Sequence, residues 1–182
     1  MTRAIHITEA RTALARKLAT SRSKSSRNGS KSEDMLSARH EYSERQGTAM
    51  VRQVGPPIRI TGNRGGQITG RLLGHSTTDY VGVLGDGRAL FIEAKSFEPA
   101  AKLPRVPFSR IQPHQSRDLT RCQMFGGCAL LVIIVGPLLY SVPWRAVNEV
   151  RANGAASLAP LDYERWQCKG RDYLARELEE TT

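Results

Sequence analysis

The sequence is short of acids and of cysteine, and it has no long uninterrupted apolar run. Against 27 Lys and Arg stand only 17 Asp and Glu, which leaves a formal charge of +10 and a pI near 10.1. A soluble chain so basic points to a polyanionic partner, and nucleic acid is the commonest one. The cysteines are three, Cys122, Cys128 and Cys168. Their spacing suits no metal site and their number no disulfide framework. With no secretory signal, they read as small core residues in a reducing, cytoplasmic setting. The most apolar stretch, Cys128 to Trp144, is marginal in length for a membrane span and is interrupted by Gly136-Pro137. It is expected to form two buried strands, Leu130 to Val135 and Leu138 to Val142, joined by a Gly-Pro turn. No membrane association is expected.

What is present fits one domain. A chain of 182 residues, 40% hydrophobic and 24% charged, can bury an adequate core. The charge is uneven. Residues 1 to 31 hold Arg3, Arg11, Arg16, Lys17, Arg22, Lys24, Arg27 and Lys31 against the single acid Glu9, or +7 of the +10. Thr8 to Thr20 can form a short helix with Ala10, Leu14 and Leu18 on one face. Residues 21 to 31 are low in complexity and are expected to be disordered alone. The segment reads as an arm that binds phosphates rather than as a merely solvated tail.

Beyond the arm, Ser30 and Glu33 have capping-box spacing. Met35, Ala38 and Tyr42 form an apolar stripe that Gly47 ends. Ala49 to Val54 reads as a strand. Residues 56 to 74 contain Pro-Pro, five glycines and Arg59, Arg64 and Arg71. A further helix is expected from Pro113 to Gly126-Gly127, with Gln115, Leu119 and Cys122 on its inward face. Gln115, polar on an inward face, needs a partner: a helix-cap hydrogen bond or a metal. His114 faces elsewhere and reads as a phosphate contact or a surface residue. Asp162 to Glu180 reads as helical, with Tyr163, Trp166, Tyr173 and Leu174 as anchors that cover the core and Gly170 as its weak point.

The chemistry concentrates in residues 76 to 96. Tyr80 to Leu84 and Arg88 to Ala94 read as strands of a hairpin around Gly85-Asp86-Gly87. Asp79 precedes the first strand and Glu93 lies near the end of the second, so the hairpin brings them together. Glu93 and Lys95, two residues apart on a strand, share a face. Two carboxylates and an ammonium converge. A hard divalent cation relieves the repulsion between the acids, and magnesium prefers oxygen ligands. The neighbouring amine can stabilise charge that develops on a phosphate. A ribosomal or nonspecific basic protein would lack this acidic cluster.

The pattern resembles the PD-(D/E)xK nuclease motif. The runs SerThrThrAspTyr at 76 to 80, GluAlaLys at 93 to 95, Pro107-Phe108 and IleGlnProHisGln at 111 to 115 narrow the resemblance to the RecU-type Holliday junction resolvases. So do residues 40 to 58, and the resemblance covers roughly residues 29 to 145. It implies an α/β fold of the restriction-endonuclease kind, with a mixed central sheet, flanking helices and a protruding basic loop. It implies Thr77, Asp79, Glu93 and Gln115 as ligands of magnesium, with manganese as the alternative, and Lys95 as the transition-state stabiliser. Glu33 resembles a further acid near the site, although Ser32 stands where the family has an aromatic. In the resemblance, residues 56 to 74 correspond to a stalk that enters the junction, here several residues shorter than the family's; from the residues alone they read equally as an ordinary Gly-rich hairpin loop. The expected organisation is an arm over 1–31 and a nuclease domain over 32–182. The DNA-binding candidates are Arg59, Arg64 and Arg71 in the stalk and Arg16, Lys17, Arg22, Lys24 and Arg27 in the arm. The expected activity is magnesium-dependent resolution of four-way junctions in DNA recombination and repair by a homodimer. The alternatives are a flap or duplex nuclease without junction selectivity, or a non-catalytic recombination accessory protein.

Overall fold

The computed structural model describes residues 31–100 and 102–179. The basic arm, the Thr8 to Thr20 helix and the capping Ser30 lie outside the described residues. The chain divides into two compact units, Met1–Ser37 and Ala38–Thr182, and the fold described below is that of the second.

Residues 31–45 are helical (α1). The helix stops at Gly47, whose φ of 72° suits a residue without a side chain. Gly47 N–H donates to Glu44 O at 3.1 Å and Thr48 N–H to Ser43 O at 3.0 Å, the bond pair of a glycine-closed helix. The strands are β1 (Ala49–Gln53), β2 (Ile58–Arg64), β3 (Gln67–Leu72), β4 (Tyr80–Leu84), β5 (Ala89–Phe97), β6 (Val106–Pro107), β7 (Cys128–Val135), β8 (Leu138–Pro143) and β9 (Ser157–Leu158). Between and after them lie α2 (Pro113–Met124), α3 (Trp144–Ala152), α4 (Pro160–Tyr163) and α5 (Ala175–Glu179).

Five strands make the central sheet in the order β1-β4-β5-β7-β8. Among the described residues only β5 and β7 pair in parallel, and the connection between them carries α2. The sheet is therefore mixed with flanking helices, as the sequence predicts. Leu131, Ile133 and Val135 of β7 join a core with Leu119 and Cys122 of α2 and with Trp144 and Val147 of α3. Leu130, Val132 and Ile134 alternate to the opposite face and are buried too. A strand covered on both faces reads as one continuous apolar run. That accounts for the Cys128 to Trp144 stretch, which is two antiparallel strands and a helix start. Among the described residues no helix is long and apolar enough to cross a membrane. The three cysteines are free thiols, with Cys122 and Cys128 buried.

The C-terminal segment corrects one expectation. Residues 162 to 180 are not one helix. After α4 comes a 3-10 turn at Glu164–Trp166, then irregular chain, then α5. The anchors are as read: Tyr163, Trp166, Tyr173 and Leu174 are buried. What overrides helical propensity is pairing with distant parts. Gln167 bridges Tyr140 on β8, and Cys168 N–H donates to Leu139 O at 2.8 Å, so the edge strand is covered. Asp172 accepts from Ser43 and Thr48 and also holds Leu174 N–H. Helix geometry cannot satisfy all of these partners at once.

Beside Asp172, Tyr173 Oη lies 2.6 Å from His40 Nε2, and the His40 ring meets Tyr80 edge-on at 4.8 Å. His40 is only 6% exposed, and burial pushes its imidazole down to about 4. The unfolded chain takes up this proton near 6.5, the folded chain only near 4. The stability that a neutral His40 gives is therefore complete above 6.5 and is lost as pH falls through 4. The loss is about 3 kcal/mol. Denaturant titrations from pH 7 to 4 are expected to show this loss in the difference between wild type and His40→Gln. Parallel pH profiles would refute it.

Candidate active site

The antiparallel register of β4 and β5 sets the site. Tyr80 pairs with Ile92, so Asp79, one step further, stands across from Glu93. Its position is fixed at two points. Asp79 O accepts from Val54 N–H at 2.9 Å, and Asp79 Oδ2 accepts from Ala94 N–H, also at 2.9 Å. Thr78 Oγ1 donates to Tyr80 O at 2.9 Å and braces the turn into β4. Opposed residues of an antiparallel pair share a face. By alternation Glu93 and Lys95 lie on the α2 side of the sheet, with Leu131 and Ile133 as their β7 partners.

Glu93 is fully buried, with 0% of its side chain exposed, whereas Lys95 retains 14%. Lys95 Nζ donates to Glu93 Oε1. Glu93 Oε2 is buried and has no hydrogen-bond partner. Burial pushes the Glu93 carboxyl up to about 7, the nearby Asp79 charge pushes it the same way, and Lys95 opposes both. An orphaned carboxylate oxygen beside a second carboxylate fits a hard cation. Among the described residues no three His, Cys, Asp or Glu groups cluster as a metal site. Asp79 and Glu93 are the acids that face each other across the two strands.

Glu93 acts on stability with the opposite sign to His40. Its folded pKa is raised, so its contribution is complete below the unfolded value of 4.5 and is lost as pH rises through about 7. The loss is roughly 3 kcal/mol, enough to offset the His40 effect in wild type. Relative to wild type, metal-free Glu93→Gln is therefore expected to lose stability from pH 7 to pH 4, while His40→Gln gains it. Thermal melts of both variants across this range decide it, and slopes of the same sign would sink the assignment.

Gln115 is buried in the first turn of α2, on the face that packs against β5 and β7. Its amide oxygen accepts from Gln112 N–H at 2.9 Å, so the helix-cap bond considered from the sequence is present. A carbonyl oxygen has a second lone pair, and a cation can take it. Thr77 is exposed, two residues before Asp79. Glu33 belongs to the other unit and is exposed on α1. His114 stacks on His75, with centroids 4.7 Å apart and planes 15° from parallel. That contact joins the loop before Asp79 to the first turn of α2. No spacing in the sequence signals it, because the two rings are neighbours only after the sheet forms.

Residues 58–72 form a separate two-stranded ribbon, β2 with β3. Ile58 pairs with Leu72, Arg59 with Arg71 and Ile60 with Gly70. A register shift follows: Thr61 is bulged, Gly62 pairs with Thr69 and Arg64 with Gln67. One extra residue inverts the side-chain alternation. Without it Arg64 would share a face with Ile58 and Ile60. With it Arg59, Arg64 and Arg71 lie on one face, and Ile58, Ile60, Ile68 and Leu72 lie on the other.

The family model described as RecU, recombination protein U, matches residues 27–165. No curated protein matches the chain. Among solved structures, the chain is similar to Hjc from Archaeoglobus fulgidus, a Holliday junction resolvase from an archaeal hyperthermophile, determined at 1.6 Å resolution. That match has 12% identity and a TM-score of 0.37, over 61% of this chain and 78% of the other.

Proposed function

The chain belongs to the RecU family, recombination protein U, and on that premise we propose that it is a Holliday junction resolvase that hydrolyses phosphodiester bonds at Asp79, Glu93 and Lys95 with magnesium. The observation that carries this reading is Glu93. It is a carboxylate with no exposure, one oxygen bound by Lys95 and the other without a protein partner. Asp79, Glu93, Gln115 and Thr77 would hold the ion. When bound, it supplies Lewis-acid polarisation of the scissile phosphate. The protein's own part is preorganisation. Asp79 is held at its backbone and side chain, so it meets the substrate without rearranging. Lys95, held by Glu93, brings an ammonium with three donors to the place where charge builds on the phosphoryl oxygens.

Resolution takes two symmetric cuts in opposed strands. One such site per chain makes a two-fold homodimer the working unit. Its setting would be the cytoplasm. Phosphate contacts come from the arm, through Arg16, Lys17, Arg22, Lys24 and Arg27, and from the arginine face of the ribbon. The test is incubation with labelled four-way junctions, flaps and linear duplex, with and without magnesium or manganese. Junction cleavage that needs the ion is expected. Equal cutting of duplex would make the chain a general nuclease, and no cutting at all would make it an accessory protein.

Replacing Arg59, Arg64 and Arg71 with Ala is expected to cost more affinity for four-way junctions than for duplex of equal length at one salt concentration. The three lie on one ribbon face, which can enter the open centre that a linear duplex lacks. Equal losses on both substrates would reduce the ribbon to a basic surface.

A further inference from the structure

Beyond Lys95, a second cation stands at the end of β5. Arg110 closes the 3-10 turn Phe108–Arg110, in the connection from β5 to α2. It is exposed, and its guanidinium carbon lies over the Phe97 ring, 4.4 Å from the centroid. Arg110 Nη2 also donates to Ser96 O at 3.4 Å. Phe97 is the last residue of β5 and packs against the core. By strand alternation it shares a face with Glu93 and Lys95. The backbone of Arg110 is tied to the other side of the site. The next residue, Ile111, is buried and donates its N–H to Phe108 O at 3.0 Å, and Gln112 N–H donates to the Gln115 amide oxygen. Arg110 therefore spans the exit of β5 and the entry of α2, the two elements that carry Lys95 and Gln115.

The guanidinium is oriented there but not neutralised. Of its N–H groups only those of Nη2 have a partner, and among the described residues Arg110 forms no ion pair. Arg151 shows the contrast. It covers Phe108 and Trp144, but it is partly buried and its Nη1 donates to Ser116 Oγ at 2.8 Å, so its donors serve the fold. A guanidinium stacked on a ring keeps its plane fixed and presents its donor fork edge-on, the geometry that grips a phosphate with two hydrogen bonds. Residues two apart on a strand are roughly 6.6 Å apart, a stride comparable to one nucleotide of backbone. With Lys95 at the scissile phosphate, the perch on Phe97 lies one such stride further along β5. We propose that Arg110, perched on Phe97, clamps the phosphate next to the scissile one. This rests on the nuclease reading above and adds how the cut is placed: the strand is held at Arg110, so the bond beside Lys95 is the one that is hydrolysed.

The test is single-turnover cleavage of four-way junctions by the full chain with magnesium. Beside the unmodified junction, three substrates each carry one uncharged methylphosphonate: at the phosphate before the scissile one, at the phosphate after it, or far out on an arm. On the unmodified junction and on the arm-modified control, Arg110→Gln is expected to cut about tenfold more slowly than wild type at subsaturating enzyme. On one of the two neighbouring substrates the two proteins should cut alike to within about twofold, because the charge that Arg110 holds is already gone. Arg110→Lys should keep most of the deficit, since an ammonium offers neither the flat face nor the fork. Phe97→Leu, which retains the charge and loses the perch, should reproduce the substrate pattern more weakly. Should Phe97→Leu melt far below wild type, the variants of the exposed Arg110 carry the comparison alone. An equal deficit on all four substrates would make Arg110 a structural residue and overturn the inference. Wild-type rates in Arg110→Gln would overturn it too, and both results leave resolvase activity standing. A wild type that cuts none of the substrates instead defeats the nuclease reading, and the inference with it, without any variant.

Discussion

Asp79→Asn or Glu93→Gln is expected to abolish junction cleavage while junction binding survives. Each change keeps the side chain's shape and removes one negative charge. In the first variant the amide oxygen could still accept from Ala94 N–H, the bond that aligns the native aspartate at 2.9 Å. In the second the amide oxygen could still accept from Lys95. The fold and the basic surface stay as they are, and the pairing of carboxylates that fits a divalent cation is gone. Removing one preorganised stabilising group costs about a hundredfold or more in rate. Two groups that act through one ion do not add, so the double variant should be little worse than either single one. Single-turnover cleavage beside a gel-shift titration separates the two effects. Cutting at near wild-type rate by either variant would show that the active site lies elsewhere.

The second large effect concerns the arm. Changing Arg16, Lys17, Arg22, Lys24 and Arg27 to Gln together should weaken DNA binding and flatten its salt dependence. On duplex each phosphate that a cation neutralises adds roughly 0.9 to the slope of log K against log salt, so neutralising all five side chains would lower it by about 4.5. The same change should leave the melting temperature of the core in place. The catalytic carboxylates and the arm are predicted to separate cleanly: one set alters rate at constant affinity, the other affinity at constant rate under saturation. A salt titration with an unchanged slope would count decisively against the arm.

The hairpin that carries Asp79, Glu93 and Lys95 was legible in the sequence because its logic is local. Strand period and a Gly-Asp-Gly turn are enough to bring Asp79 opposite Glu93 and to place Lys95 on the same face. The inward face of α2, with Gln115, Leu119 and Cys122, follows from helical spacing in the same way and is the buried set observed. The apolar strand expected over Leu130 to Val135 was legible because Gly136-Pro137 ends it; the observed strand begins two residues earlier, at Cys128, and every residue of it is buried.

What the chain's order could not show depends on partners far apart in it. His40 and Tyr173 are separated by 133 residues, and their contact beneath Tyr80 exists only once the C-terminal segment has crossed the sheet. The same long-range bonds broke the helix expected over residues 162 to 180, because hydrogen bonds to β8, Ser43 and Thr48 outweigh a propensity of a few tenths of a kcal/mol per residue. The faces of the ribbon were hidden for a subtler reason. Strict alternation from Ile58 would put Arg64 beside the isoleucines, and one bulged residue at Thr61, which the composition does not announce, moves it to the arginine side. Sequence by itself determined the meeting of two acids and an amine, since residue type and local period suffice to bring Asp79, Glu93 and Lys95 together. Tertiary structure decided how that chemistry is tuned. Burial from all sides raises Glu93 to about 7 and leaves one of its oxygens without a partner, and burial is a property of the packed whole rather than of any segment.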